Sequence, residues 1–357
     1  MTQIAILGYG VVGSGVAEVL QETAALIDAR SGIKLSLKTI LDIRQFPDDP
    51  FARHFVTDFS AIEKDPSVSI VVEAIGGAGA AYDFTKRALR AGKHVVTSNK
   101  ELVAEHGAEL MTLARGNRVH YLFEAAVGGG IPLIYPLTQC LSANRISDIA
   151  GILNGTSNYI LTRMKANGFT FDEALLEAKK LGYAEADPTD DIMGYDCTRK
   201  ICILASLICG RQVLPGRVQT EGISAVTPKQ LKEAADNGYA VKLLGRAQRF
   251  QSGEPPLVYV APHLVPRGHP LFSVDDVFNG ILLNGDVVGD VFFYGRGAGK
   301  LPTASAVVSD ILACLRCSDP LGGLAWDDIP AHVTAPRDIR DDPHHTFADG
   351  TMMRVLQ

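Results

Sequence analysis

The sequence predicts an α/β protein in two parts, a parallel nucleotide-binding layer followed by an α+β domain on an open mixed sheet. Three observations carry that expectation. A short apolar strand at the start runs straight into a glycine-rich turn and then a helix. Strands and helices alternate through the first third of the chain, which calls for a parallel sheet. After that, strands follow one another with no helix between them, as in a mixed or antiparallel sheet.

The 357 residues suffice for two domains, each with its own core. An apolar content of 46% excludes disorder, yet no uncharged apolar run reaches membrane-spanning length. A formal charge of −6 with interspersed signs argues against nucleic acid as a main partner. Met1–Gly10 has no basic stretch and no cleavage site, so no signal peptide is expected. The six cysteines, at 140, 197, 202, 209, 314 and 317, lack the density of a disulfide scaffold, and a cytoplasmic protein follows. Cys314 and Cys317 form a CxxC with no second pair or histidines at ligand spacing, so they read as buried thiols.

Residues 3–7 (QIAIL) are a buried strand, and Gly8-Tyr9-Gly10-Val11-Val12-Gly13 follows at once. In this context GxGxxG is the Rossmann dinucleotide signature. Gly8 permits the tight turn, Gly10 lets backbone approach a pyrophosphate, and Gly13 lets helix and strand pack closely. The helix through Val16, Val19, Leu20, Ala24 and Leu26 offers its N-terminus to the phosphates. The second strand, Leu35–Leu41, ends at Asp42, with Arg44 two residues on. An acid there suits the ribose of NAD and an arginine the extra phosphate of NADP, so both cofactors stay open.

Ser69–Ala74 is the third strand, closed by Gly76 and Gly77; a helix over Phe84–Ala91 leads to a strand at His94–Thr97. Ile75, Gly76, Ser98 and Lys100 fall at C-terminal strand ends, where such sheets bind ligands. Lys100 is either a surface lysine or one that faces cofactor or substrate. Val119–Glu124 is a further strand, and Ala125–Ile131 carries three consecutive glycines, too permissive for an element interior. Pro132 restarts a helix. Strands are expected at Ile149–Leu153, Val241–Phe250, Leu257–Val260 and Ile281–Phe293, with helices at 172–181 and 196–209 on one face. Asn154–Asn158 is a loop and helix cap before Tyr159–Lys165. A second glycine loop, Tyr294–Lys300, precedes an apolar helix that returns to the first domain. Residues 1–130 are thus the dinucleotide-binding domain and 131–300 the substrate-binding and dimerisation domain. Residues 301–330 are the returning helix, and 331–357 a surface tail.

Leu181–Lys200 concentrates the chemistry. Glu185, Asp187, Asp190, Asp191 and Asp196 stand ahead of Lys200, and Pro188 keeps the acidic part a loop. A helix starts near Gly194, which puts Asp196 and Lys200 on one face with the acid on the favourable N-terminal side. An ordinary solvated acidic loop with an i,i+4 pair accounts for the same residues. Against it, the helix beyond Lys200 is almost wholly apolar and sets the pair at the mouth of a core.

GYAEADPTDDIMGYDCTRK resembles the substrate motif of homoserine dehydrogenases. SNKELVAEHGAEL, FEAAVGGGIPLI, NGTSNYIL and YGRGAGKLPTASAVVSD resemble four further blocks of that family, in its order and over about residues 3–315. The resemblance implies NAD(P)-dependent interconversion of L-homoserine and L-aspartate 4-semialdehyde by a homodimer, in threonine and methionine biosynthesis. It implies Lys200 as the catalytic lysine, helped by Asp196, with Glu185, Asp191 and Asp196 on the substrate. It places Gly8, Gly10, Val11, Val12, Gly13, Ile75, Ser98, Lys100 and Gly299 on the cofactor. A structural monovalent cation such as sodium would be held by Glu124 and the carbonyls of Val127, Gly129 and Ile131. Many relatives append a regulatory domain of the ACT type; the 28 residues after Ile329 fall short of the roughly 40 that usually fold alone, so none is expected. Burial would lower the Lys200 pKa and Asp196 would raise it. Two rivals remain: another semialdehyde dehydrogenase using Cys140 or Cys197 as nucleophile, and a non-catalytic NAD(P)-binding sensor.

Overall fold

The computed structural model describes residues 1–250, 254–316, 326–327, 330–334, 345–346 and 352–355. The chain divides into two compact units, Met1–Gln139 with Ala298–Ala325, and Cys140–Gly297 with Trp326–Gln357. The first boundary falls nine residues beyond the expected 130, because Glu124 ties the following segment down through the backbone of Leu133, Ile134 and Tyr135.

In the first unit, β1 (Thr2–Leu7) leads into α1 (Val11–Glu22) and α2 (Ala24–Ser31). One continuous helix was expected here. Thr23 ends it: its N–H and its hydroxyl both donate to the Val19 carbonyl, at 2.9 and 2.6 Å. Then come β2 (Leu35–Leu41), β3 (Phe55–Val56), α3 (Ser60–Glu63), β4 (Val68–Glu73), α4 (Gly79–Arg90), β5 (His94–Thr97), α5 (Lys100–Gly116) and β6 (Tyr121–Leu122). The sheet is parallel with order β3-β2-β1-β4-β5-β6. Its topological switch lies between β1 and β4, and Leu7, Leu41, Glu73 and Thr97 stand in register at one edge. Ile4, Ile6, Ile70, Val72 and Val95 are fully buried, as continuous apolar strands covered on both faces should be.

The strand expected over Val119–Glu124 pairs only at Tyr121–Leu122, since Glu124 turns into a 3₁₀ turn over Glu124–Ala126. The helix expected from Pro132 becomes a wide π turn over Pro136–Cys140, because Pro136 has no N–H for the regular ladder.

The second unit holds β7 (Ile146–Ile152), α6 (Gly155–Asn167), α7 (Phe171–Lys180), α8 (Thr189–Ile192), α9 (Tyr195–Cys209), β8 (Gln219–Thr220), α10 (Pro228–Asp236), β9 (Tyr239–Gln248), β10 (Leu257–Pro266), β11 (Phe278–Gly285) and β12 (Gly289–Arg296). The single strand expected over Ile281–Phe293 is a hairpin, its turn closed by Gly289 in the left-handed region. The chain rejoins the first unit in α11 (Lys300–Arg316), which packs on α1, β5 and the Glu124 turn. β13 (His345–Thr346) and β14 (Met352–Val355) follow.

The second sheet runs β12-β11-β7-β9-β10-β14-β13, with β8 beside β10. The β8–β10 pair is parallel and the others are antiparallel, so the sheet is mixed. A tail lying over the surface was expected from residue 331; instead β14 adds to β10, whose open edge presents unpaired backbone groups. The helix expected through 330 is described to Arg316, and Cys317 of the CxxC lies outside the described residues. Cys314 is buried. α9 packs on β7, β9 and β10, which seats the helix that carries Lys200.

Candidate dinucleotide and substrate sites

The glycine turn of the first unit is built as its sequence requires. Gly8 sits at φ +88°, and a Cβ there would come 2.7 Å from the Ala74 carbonyl oxygen. At Gly13 a Cβ would reach within 1.9 Å of the Gly8 oxygen, whereas at Gly10 it would meet open space. No side chain caps α1 at Gly10, so the N–H groups of Val11, Val12 and Gly13 point out of the helix end. That end can take an anion.

Asp42 and Arg44, alternatives in the sequence, form one pair. The buried Asp42 carboxylate accepts from the Tyr9 N–H at 2.7 Å, the Arg44 N–H at 2.9 Å, and Arg44 Nε and Nη2 at 3.0 and 2.8 Å. Hydrogen bonds from Arg44 hold this carboxyl well below the usual carboxylate range. The guanidinium lies over Phe46 and remains largely exposed.

Ile75, Gly76, Ser98 and Lys100 follow the ends of β4 and β5, and three residues missed by the sequence reading tie them together. Glu73 is fully buried; its Oε1 accepts from the Ile75 N–H at 2.7 Å and its Oε2 from the Thr97 hydroxyl at 2.5 Å. Asn99 donates from Nδ2 to the carbonyls of Ile75 and Gly77 at 3.0 and 2.7 Å, and its Oδ1 caps α5 at Leu102. Lys100 is the first residue of α5. The available signal was an acid ending an otherwise apolar strand, VSIVVE. Gly299, at φ +125°, leads into α11 and accepts from the Thr303 N–H at 3.0 Å.

The Glu124 carboxylate accepts the N–H groups of Leu133, Ile134 and Tyr135 at 2.5, 2.8 and 2.6 Å. Its own N–H donates to Asp310 Oδ2 at 2.8 Å. Burial pushes both carboxyls up, Asp310 far up, and neither has a basic side-chain partner among the described residues. Gly128 and Gly129 turn the chain between them and Ile131 with positive φ.

In the second unit Gly194, at φ +84°, ends the acidic loop and α9 begins. Lys200 is buried, and Nζ donates to the Leu153 carbonyl at 2.8 Å and to Asp196 Oδ2 at 2.7 Å. Asp196 Oδ2 also accepts from Asn154 Nδ2 at 2.9 Å, and that amide reaches Asp191 Oδ1 at 2.7 Å. Asn154 Oδ1 meanwhile caps α6 at Ser157. One amide therefore bridges two carboxylates and starts a helix. Burial, then the charge of Asp196, raises the Asp191 pKa. The other acids stay outside this cluster: Asp190 pairs with Arg199 at 2.5 Å, Asp187 caps Thr189, and Glu185 is exposed. Lys200 uses two of its three ammonium hydrogens on protein, which leaves one for a substrate oxygen.

Cys197 is fully buried beside this cluster, and desolvation pushes its thiol up to about 12. That argues against it as a nucleophile. Among the described residues no cluster of three or more His, Cys, Asp or Glu side chains is arranged to hold a metal ion, and no helix is long and apolar enough to cross a membrane.

The family model described as "Homoserine dehydrogenase" matches residues 132–312, and the one described as "Homoserine dehydrogenase, NAD binding domain" matches residues 8–124. A homoserine dehydrogenase from Synechocystis is 45% identical over 315 residues, 87% of this chain and 72% of the relative. The crystal structure of a homoserine dehydrogenase from Thiobacillus denitrificans superposes with a TM-score of 0.86 at 39% identity, covering 95% of this chain and 80% of that one. A hyperthermophilic archaeal homoserine dehydrogenase in complex with NADPH superposes with a TM-score of 0.75 at 28% identity, covering 88% and 97%.

Proposed function

The chain belongs to the homoserine dehydrogenase family, and on that premise we propose that Lys200 carries the proton in its reaction. The enzyme interconverts L-homoserine and L-aspartate 4-semialdehyde with an NAD(P) cofactor, a step toward threonine and methionine. The bound dinucleotide supplies or accepts the hydride. Lys200 donates its remaining ammonium hydrogen to the carbonyl oxygen during reduction and takes the hydroxyl proton during oxidation. Asp196 and the Leu153 carbonyl aim Nζ, so that little reorientation is needed in the transition state. Asp191, helped by Glu185 and Asp196, holds the substrate ammonium, and the added cation offsets the repulsion between the two bridged carboxylates.

The observation that carries this reading is the buried Lys200–Asp196 pair at 2.7 Å. Lys200→Ala should leave dinucleotide affinity unchanged and cut kcat by ~10²-fold or more. Turnover near wild type would remove Lys200 from the role.

NADP is the favoured cofactor. Four hydrogen bonds fill the acceptor positions of Asp42, so a ribose hydroxyl has no place to donate, while the exposed Arg44 has N–H groups left for a 2′-phosphate. A monovalent cation fits the Glu124 turn. Two buried acids there have no basic side-chain partner among the described residues, and the carbonyls of Val127, Gly129 and Ile131 would complete a set of hard oxygen donors beside Glu124. Its role would be to hold the turn. We also read the enzyme as a cytoplasmic homodimer. The exposed Phe292 and Tyr294 of β12 give the second unit an apolar edge, and no disulfide joins the described cysteines.

A further inference from the structure

We propose that Glu73 is a positioning residue for the dinucleotide, and that its ionised carboxylate clasps together the two strand-end loops that receive the cofactor. The inference rests on the cofactor assignment of the first unit and adds a control that neither the glycine turn nor Arg44 contains.

The clasp has a definite hydrogen-bond sense. The Thr97 hydroxyl accepts the Asn99 N–H at 2.9 Å, so its proton is left to point at Glu73 Oε2, 2.5 Å away. The Ile75 N–H points at Oε1. The Asn99 side chain spends both of its Nδ2 hydrogens on the carbonyls of Ile75 and Gly77. Every partner is a donor, so an anion satisfies all of them at once. A protonated carboxyl is the weaker acceptor, so the charge-assisted bond through Thr97 that links β4 to β5 loses strength. Beyond the strand ladder, the loops carrying Ile75 and Gly76 and carrying Ser98 would then be joined firmly by the Asn99 amide alone, and their mutual register would loosen.

The switch operates at neutral pH. Glu73 is fully buried, and desolvation lifts its carboxyl to about 7 against the opposing bonds from Thr97 and Ile75. The groups packed on it from β5 and the start of α5, Thr97 and Asn99, are uncharged; Tyr121 on β6 is the titratable neighbour that senses its charge, and its own hydroxyl is pushed well up by burial. The sign is fixed by the linkage. An acid raised in the folded state favours the fold most below its unfolded pKa, and that contribution is lost as pH rises through about 7. The ionised clasp is therefore the less stable form of the empty protein and the binding-competent one.

The test is NADH affinity by fluorescence titration from pH 6 to 8, with thermal melts of the cofactor-free protein alongside. NADH is the probe because it lacks the 2′-phosphate, which itself titrates near pH ~6. With only the ionised form competent, the wild-type Kd should rise roughly tenfold between pH 8 and pH 6 for a midpoint of about 7. Glu73→Gln should bind more weakly at pH 8, show a flat profile, and melt higher than wild type at pH 8. Thr97→Val removes one donor to the anion and should move the midpoint of the Kd profile to higher pH, which keeps the proposal testable should the glutamine variant fail to fold. A glutamine profile superimposable on wild type, or an unshifted Thr97→Val midpoint, would overturn it. Failure of wild type to bind either NADH or NADPH at any pH would instead strike the cofactor reading of the first unit.

Discussion

Asn154→Asp separates the two duties of the amide that joins the acidic loop to the catalytic helix. The new side chain keeps an oxygen for the Ser157 N–H, so the cap on α6, at 2.8 Å in the wild type, survives. It replaces the Nδ2 donor with an acceptor, and Asp191 and Asp196 lose bonds of 2.7 and 2.9 Å. Bonds to charged groups are worth about 1.5–3 kcal/mol each, so roughly 3–6 kcal/mol is at stake when all three carboxyls are ionised. The loss shrinks at low pH, where one carboxyl protonates and restores a donor. The Asp191 pKa is already raised in the wild type, and a third acid raises it further. Stability of the variant should therefore be greatest near the reference aspartate pKa of about 3.9 and fall as pH rises through the raised values. Urea denaturation of both proteins at pH 5.5 and 8.5 measures this. A deficit of several kcal/mol at the higher pH and about half of it at the lower is expected, with kcat reduced by roughly tenfold or more as Lys200 is pulled off aim. Equal deficits at the two pH values would refute the bridging role and leave Asn154 as a helix cap alone.

Arg44→Ala should raise the KM for NADP by about 10–100-fold through the loss of charge-assisted bonds to the 2′-phosphate. The KM for NAD should hold or fall as Asp42 regains acceptor positions, and parallel assays of homoserine oxidation with the two cofactors read both. Iodoacetamide at pH 8 should label the exposed Cys140 and spare Cys197, whose thiol is pushed up to about 12, with activity retained. Peptide mass spectrometry identifies the alkylated residue, and inactivation that tracks labelling of Cys197 would revive a cysteine mechanism.

Local signals were legible where chemistry and period agreed. Leu35–Leu41 and His94–Thr97 stand where their apolar runs ended, and the glycine turn sits between β1 and α1 because no other residue fits at Gly8 and Gly13. Asp196 and Lys200 shared a face as soon as the helix was assigned, since four residues make about one turn. Asn154 looked like a plain cap because its other partners lie 37 and 42 residues away. Glu73 looked like a strand residue for the same reason, its hydroxyl partner being 24 residues on. Asp42 and Arg44 were both seen, but side-chain geometry alone told that they bind each other. The break at Thr23 and the hairpin within Ile281–Phe293 were lost because apolar periodicity continues through a tight turn.

The first unit is assembled from two stretches of chain with Cys140–Gly297 of the second inserted between them. α11 covers α1 closely enough that a Cβ at Gly15 would fall 2.9 Å from the Lys300 carbonyl oxygen. A nascent polypeptide emerging from the ribosome therefore exposes the glycine-turn helix long before its cover is made. Most of the inserted segment can fold first, and the N-terminal stretch must wait, partly open, until α11 is made after residue 300. Expressed on its own, a fragment ending at Gln139 should be sticky and prone to chaperone capture, although it holds the entire phosphate-binding turn.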